Sequence, residues 1–289
     1  MRAVSSQKGY RLVASEPLLP YPVKEVARVM LGTGDVPALL VRPDVPGPHA
    51  AAVLQHGYAS EKSALLPFAQ QLAALGFVVL LADAWGHGER FPTSGPNWMT
   101  DMHADYAMEV VRHTVEDVRE GINTLIEQPD VREDAVLVGG FSLGAIVALI
   151  AGTEDARAAA VVSLAGSSLP DLLGVKHFNS RPPSADTERY GLEHDAAAHL
   201  AQFAPKPLLL SHGRNDDLVP VGGTLRLYET AQPLYAEHPD RLALNLYEHR
   251  HDISEQQIMD CITWVTHVVP LATREEWLAR MDGPERMIG

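Results

Sequence analysis

From Val23 onward the chain alternates short β-type runs with longer helical ones, a pattern that restricts it to a sheet covered by helices on both faces. Runs 77–82 and 135–138 are continuously apolar, as strands buried on both faces are, whereas a sheet with one wet face would alternate. Runs 25–30 and 38–42, separated by the turn residues Gly32, Thr33, Gly34 and Asp35, predict an antiparallel hairpin at the sheet edge. Further strands are predicted over 51–55, 159–164, 207–211 and 242–247, giving about eight, mostly parallel. Helices are predicted over 60–75, 106–127, from 143, over 223–235 and over 255–269. Hydrophobic residues make up 46% of the 289 positions and no internal repeat interrupts them, so one domain over 23–289 with an N-terminal extension over 1–22 is the expectation. Two stretches break the rhythm, at about 85–103 and 166–205. The first carries Trp85, Phe91, Trp98 and Met99, the second Leu169, Leu172, Leu173 and Phe178, and both follow strand ends, where open α/β sheets bind ligands. They read as cap-like pocket walls.

Composition removes several function classes. A formal charge of −14, from 23 basic against 37 acidic residues, repels phosphate backbones and anionic membrane surfaces. Cys261 is the one cysteine, so no intrachain disulfide can form and no cysteine cluster can hold a metal; its helical setting predicts a buried, inert thiol. The first 13 residues lack the apolar core of a secretory signal, and no stretch approaches the roughly 20 apolar residues that span a bilayer, so a soluble cytoplasmic protein is expected. Thirteen histidines invite a metal reading, but His249 and His251 have no accompanying HExxH or carboxylate cluster. Gly32-Thr33-Gly34 lacks the lysine and the strand-to-helix setting of a phosphate loop. Neither a metal nor a cofactor is expected.

Gly140-Phe141-Ser142-Leu143-Gly144 stands between the strand at 135–138 and the small-residue helix at 145–150. Gly-x-Ser-x-Gly in that position allows a turn sharp enough to leave the serine hydroxyl clear of its neighbours. Such a hydroxyl needs a histidine to take its proton and a carboxylate to fix that histidine's tautomer. Both are available later in the chain. His212-Gly213-Arg214-Asn215-Asp216-Asp217-Leu218-Val219-Pro220 follows the strand at 207–211, and Glu248-His249-Arg250-His251-Asp252 follows the strand at 242–247. Each segment offers two choices, Asp216 or Asp217 and His249 or His251.

In this order of serine, acid and histidine the chain resembles the α/β-hydrolases over about residues 23–270. It is nearest to the compact bacterial esterases related to dienelactone hydrolases and prolyl-oligopeptidase-type domains. The family's Gly-x-x-Asp-x-x-Val-Pro turn is matched by Gly213, Asp216, Val219 and Pro220, which favours Asp216. Its histidine usually follows small residues; here Glu248-His249-Arg250 stand instead, which keeps His249 in contention. His251 is preferred because it immediately precedes a helix expected to begin near Ile253 and Ser254. Leu54-Gln55-His56-Gly57-Tyr58 is similar to the family's His-Gly-x element, implying an oxyanion hole from the backbone N–H groups of Tyr58 and Leu143. The segment from Asp83 to Arg90 resembles the family's Asp-x-x-Gly-His-Gly turn, whose role is chiefly structural, with Glu89 and Arg90 as candidate ion-pair anchors. The resemblance implies cleavage of small to medium carboxylic esters through an acyl-enzyme, without a cofactor. Thioester or peptide cleavage by the same triad and non-catalytic ligand binding are the alternatives. Pocket residues are expected to be Tyr58, Trp85, Phe91, Trp98 and Leu169. A small-molecule ester is the expected partner, with no nucleic acid or membrane, and the N-terminal hairpin offers an edge that could pair across a homodimer.

Overall fold

The computed structural model describes residues 23–32, 35–97, 99, 103–173 and 181–269. The expected extension over 1–22, Thr33 and Gly34 of the turn, Trp98 and Phe178 lie outside the described residues. Eight strands form one sheet in the order β1-β2-β4-β3-β5-β6-β7-β8. They are β1 (Val23–Leu31), β2 (Val36–Pro43), β3 (His49–Gln55), β4 (Phe77–Ala82), β5 (Val131–Phe141), β6 (Ala158–Leu164), β7 (Leu208–Gly213) and β8 (Leu242–Tyr247). The β1–β2 and β2–β4 pairs are antiparallel, and the other five pairs are parallel.

Every residue of β3 and β4 is buried, as continuous apolar runs require when helices cover both faces. Alternate side chains go to opposite layers. Val53, Leu80 and Val138 pack with Ile122 and Leu125 of α2 (Ala104–Ile126) and Ile146 of α3 (Leu143–Glu154). Leu54, Leu81 and Leu137 pack with Phe68 and Leu72 of α1 (Leu66–Ala73) and with Val265 of α8 (Glu255–Val268). Each such fully buried aliphatic or aromatic side chain contributes about 1.5–3 kcal/mol relative to exposure.

Boundaries moved where polar or proline residues intervene. β5 extends beyond the expected 135–138 because Val131-Arg132-Glu133-Asp134 continue the strand with side chains that are not buried, which an apolar reading misses. The helix expected over 60–75 opens as a 3-10 turn, Lys62–Leu65, before α1. That expected over 223–235 ends as α7 (Gly222–Ala231) and passes into a 3-10 turn, Gln232–Tyr235, at Pro233, which has no N–H to continue the ladder. Among its described residues the stretch at 85–103 holds one short 3-10 turn, Gly88–Arg90. The one at 166–205 folds as α4 (Leu169–Leu173), α5 (Ala185–Glu193) and α6 (Ala196–Phe203). Among the described residues no helix is long and apolar enough to cross a membrane.

Candidate active site

β5 hands the chain to α3 through Ser142, whose φ of +56° and ψ of −120° lie where L-residues are strained. Two glycines make that turn feasible. A Cβ at Gly144 would sit 2.0 Å from the Gln55 carbonyl oxygen and 2.5 Å from that of His56; one at Gly140 would sit 2.3 Å from the Gly144 oxygen. The end of β3, the end of β5 and the first turn of α3 therefore meet at backbone distance, and Ser142 is pushed up at their junction. Its own N–H is held by the Leu164 carbonyl at 2.9 Å.

Asp216 projects from the loop after β7. Its Oδ1 accepts the N–H groups of Leu218 at 3.0 Å and Val219 at 2.8 Å, while Oδ2 accepts from His251 Nδ1 at 2.7 Å. With Nδ1 as donor, His251 Nε2 is the acceptor for the Ser142 hydroxyl, 2.8 Å away. The competing residues go elsewhere. Asp217 is exposed and pairs with Arg250, and His249 turns Nδ1 to the Arg250 carbonyl at 2.8 Å with its ring stacked on Tyr247. The selection follows from how the two loops are tied. Arg214 N–H donates to the Tyr247 carbonyl at 2.7 Å and Asn215 N–H to that of His249 at 3.1 Å, while Ser254 caps α8 by accepting from Gln257 N–H. Burial pushes the Asp216 carboxyl up, but donors from His212, His251 and Val219 outweigh it and hold it well below the usual carboxylate range.

His56 fixes the loop beyond β3. Its Nε2 accepts the Ala84 N–H at 2.9 Å, so Nδ1 carries the hydrogen and donates to the Gly57 carbonyl at 2.8 Å. Burial pushes this imidazole down to about 4, which keeps it neutral. In a trans peptide the Tyr58 N–H points away from the carbonyl so held. Gly57 packs against the elbow, where a Cβ would lie 3.3 Å from Ser142 Cβ. Leu143 is the first residue of α3, so its N–H has no acceptor within the helix and stands at the positive end of the helix dipole. Tyr58 and Leu143 both line the cavity beside Ser142.

Asp83 and His87 take no part in this chain of contacts. The Asp83 side chain is wholly buried; its Oδ1 accepts Lys62 N–H at 2.8 Å, and its Oδ2 accepts Lys62 Nζ at 2.7 Å and Glu89 N–H at 3.0 Å. Glu89 takes a second bond from Lys62 Nζ at 2.6 Å, and Arg90 pairs with Asp117. Burial lowers the Lys62 ammonium, but its bonds to Asp83 and Glu89 prevail and hold it above the usual lysine range.

A cavity of about 600 Å³ opens over Ser142 and His251. Tyr58 lines it, as expected; Trp85, Phe91 and Leu169 do not. Trp85 stacks on His113 of α2, meets the Tyr106 ring at a tilt, and borders a separate depression with Arg90 and Pro92. Phe91 closes the 3-10 turn at Gly88–Arg90, and Leu169 is buried in the α2–α3 core. The walls come instead from Leu65 and Phe68 around the start of α1, from Leu143, Ile146 and Leu172, and from Ile253 and Ile258 near the start of α8. Ile253 sits two positions from His251 and could have been found on that ground; Phe68 carries no signal that separates it from core. Among the described residues no group of three or more His, Cys, Asp or Glu side chains is placed to hold a metal ion.

Among solved structures, a Thermus thermophilus protein designated TT1662 superposes with a TM-score of 0.71 over 87% of this chain and 100% of its own, at 23% identity. The chain has the α/β-hydrolase fold. The family profile described as "Serine aminopeptidase, S33" matches this hydrolase over residues 46–176, which includes Ser142 and stops short of Asp216 and His251. Two relatives are similar over longer spans. "Esterase YjfP" of Escherichia coli (strain K12) is 27% identical over 68% of this hydrolase and 80% of its own length. "Putative esterase YitV" of Bacillus subtilis (strain 168) is 27% identical over 72% and 85%.

Proposed function

We propose that this hydrolase is a carboxylesterase acting on small to medium, apolar esters. The observation that carries the reading is the unbroken chain Ser142 Oγ to His251 Nε2 at 2.8 Å and His251 Nδ1 to Asp216 Oδ2 at 2.7 Å, opening into an apolar cavity. Ser142 attacks the ester carbonyl as its proton passes to His251, and Asp216 orients the ring and stabilises the imidazolium. The carbonyl oxygen, now negative, takes the N–H groups of Tyr58 and Leu143. His251 returns the proton to the departing alcohol; it then draws one from the attacking water and passes it to Ser142 Oγ as the acyl bond breaks, which releases the acid and restores the enzyme. The relatives' names favour esters as the substrate class, whereas the family profile's name keeps peptide and amide substrates in the comparison.

Two measurements test this. A fluorophosphonate probe should label the wild type and not Ser142→Ala; labelling of neither would refute the serine mechanism. With p-nitrophenyl esters of rising acyl length, burial of about 0.8 kcal/mol per methylene predicts a kcat/KM increase of about fourfold per carbon until the cavity is filled. Faster turnover of matched thioesters or aminoacyl anilides would reassign the substrate class.

A further inference from the structure

A second imidazole reaches the carboxylate that orients His251, and the catalytic scheme above makes no use of it. His212, wholly buried near the end of β7, places Nε2 3.2 Å from Asp216 Oδ2 and 2.8 Å from the Val219 carbonyl oxygen. Both neighbours are acceptors, so Nε2 carries a hydrogen. Its Nδ1 lies 2.7 Å from Thr224 Oγ1, and that hydroxyl lies 2.7 Å from the Gly166 carbonyl oxygen. The Thr224 hydroxyl thus sits between Nδ1 and the Gly166 carbonyl and closes the far side of the ring.

We propose that His212 is a positioning residue of the active site: its Nε2–H, set between Asp216 Oδ2 and the Val219 carbonyl, holds the Asp216 carboxylate in line with His251 during turnover. This rests on the assignment of Ser142, His251 and Asp216 as the reacting unit. The role matters at one moment. When His251 becomes imidazolium, Asp216 Oδ2 must stay against its Nδ1, and a donor on the other side of that oxygen keeps the carboxylate from turning away. Thr224 and Gly166 anchor the ring in turn, tying the start of α7 and the loop after β6 to the acid.

The test compares His212→Leu with His212→Gln, which retains one neutral donor. Activity is normalised to serines titrated by the fluorophosphonate. Loss of one bond to a charged group predicts a kcat drop of about ten- to a hundredfold in His212→Leu with KM little changed, and partial recovery in His212→Gln. A purely structural residue would lower the titratable fraction and leave kcat per titrated serine unchanged, which would overturn the proposal. Nitrogen-15 spectra of the histidine-labelled wild type at pH 7.5 give an independent reading that needs no variant. A protonated Nε2 on His212 supports the proposal, and a bare Nε2 refutes it. If Ser142→Ala keeps full activity, the underlying assignment fails; if Ser142→Ala is dead and His212→Leu is as fast as wild type, only the role of His212 fails.

Discussion

Acidification should destabilise the fold through His56 before most carboxylates titrate. This imidazole is 1% exposed and is pushed down from 6.5 to about 4, first by burial, with the neighbouring His87 adding to it. Its Nε2 must stay bare to accept the Ala84 N–H, so a proton there would replace a hydrogen bond by two facing donors. Because the folded value lies below the unfolded one, the unfolded chain binds more protons between them, and stability rises with pH across that window. The contribution is complete above about pH 6.5 and is lost as pH falls towards about 4. A separation of about 2.5 units amounts to about 3 kcal/mol at most, of which about 2 kcal/mol has gone by pH 5. Urea unfolding of the wild type and of His56→Gln, at pH 7.5, 6 and 5, isolates the effect. Gln cannot titrate, and its side-chain oxygen can still accept from Ala84. Subtraction also removes most of the parallel loss from His87, whose value burial likewise lowers. The stability advantage of the wild type should shrink by about 2 kcal/mol from pH 7.5 to 5. A difference constant to within about 0.5 kcal/mol would refute the argument, because His56 would then protonate in the folded protein as readily as in the unfolded one.

Three further outcomes follow from the same geometry. Asp216→Asn deprives His251 Nδ1–H of its carboxylate acceptor and should cut kcat by a thousandfold or more, on the order seen when a triad acid is neutralised, whereas Asp217→Asn, which alters an exposed pair with Arg250, should stay near wild type in the same ester assay. Lys62→Met leaves the fully buried Asp83 carboxylate without its cation and should cost about 3 kcal/mol in denaturant unfolding, with Lys62→Met/Asp83→Asn recovering part; an additive double variant would show that the pair is not coupled. Gly144→Val drives a Cβ to 2.0 Å from the Gln55 carbonyl oxygen, and fluorophosphonate labelling should fall to background even in the fraction that remains folded.

What the sequence discloses depends on whether a property is local to a few residues or arises where distant segments meet. Strands β3 and β4 are legible because burial on both faces leaves continuous apolar runs, and the elbow is legible because only glycine tolerates a backbone oxygen at 2.0–2.7 Å. The choice between Asp216 and Asp217 belongs to the contact between two loops, which no single segment encodes; a motif match favoured the residue whose side chain turns inward. Pocket walls are less legible still. Phe68 faces the cavity and the core from one position on α1, so in sequence it is indistinguishable from Leu72 on the same helix. Trp85 looks like a pocket aromatic because it opens an insertion, yet the nearby α2 offers His113 as a stacking partner, and stacking wins over a position at the cavity. His212 is the limiting case. Read along the chain it is one more residue ending a buried strand, four positions before an acid. Its chemistry appears only when the loop closes, bringing Nε2 to Asp216 and to the Val219 carbonyl, two acceptors that fix a hydrogen on that nitrogen. Hydrogen-bond accounting in a closed, buried network therefore assigns a donor that neither spacing nor composition can reveal.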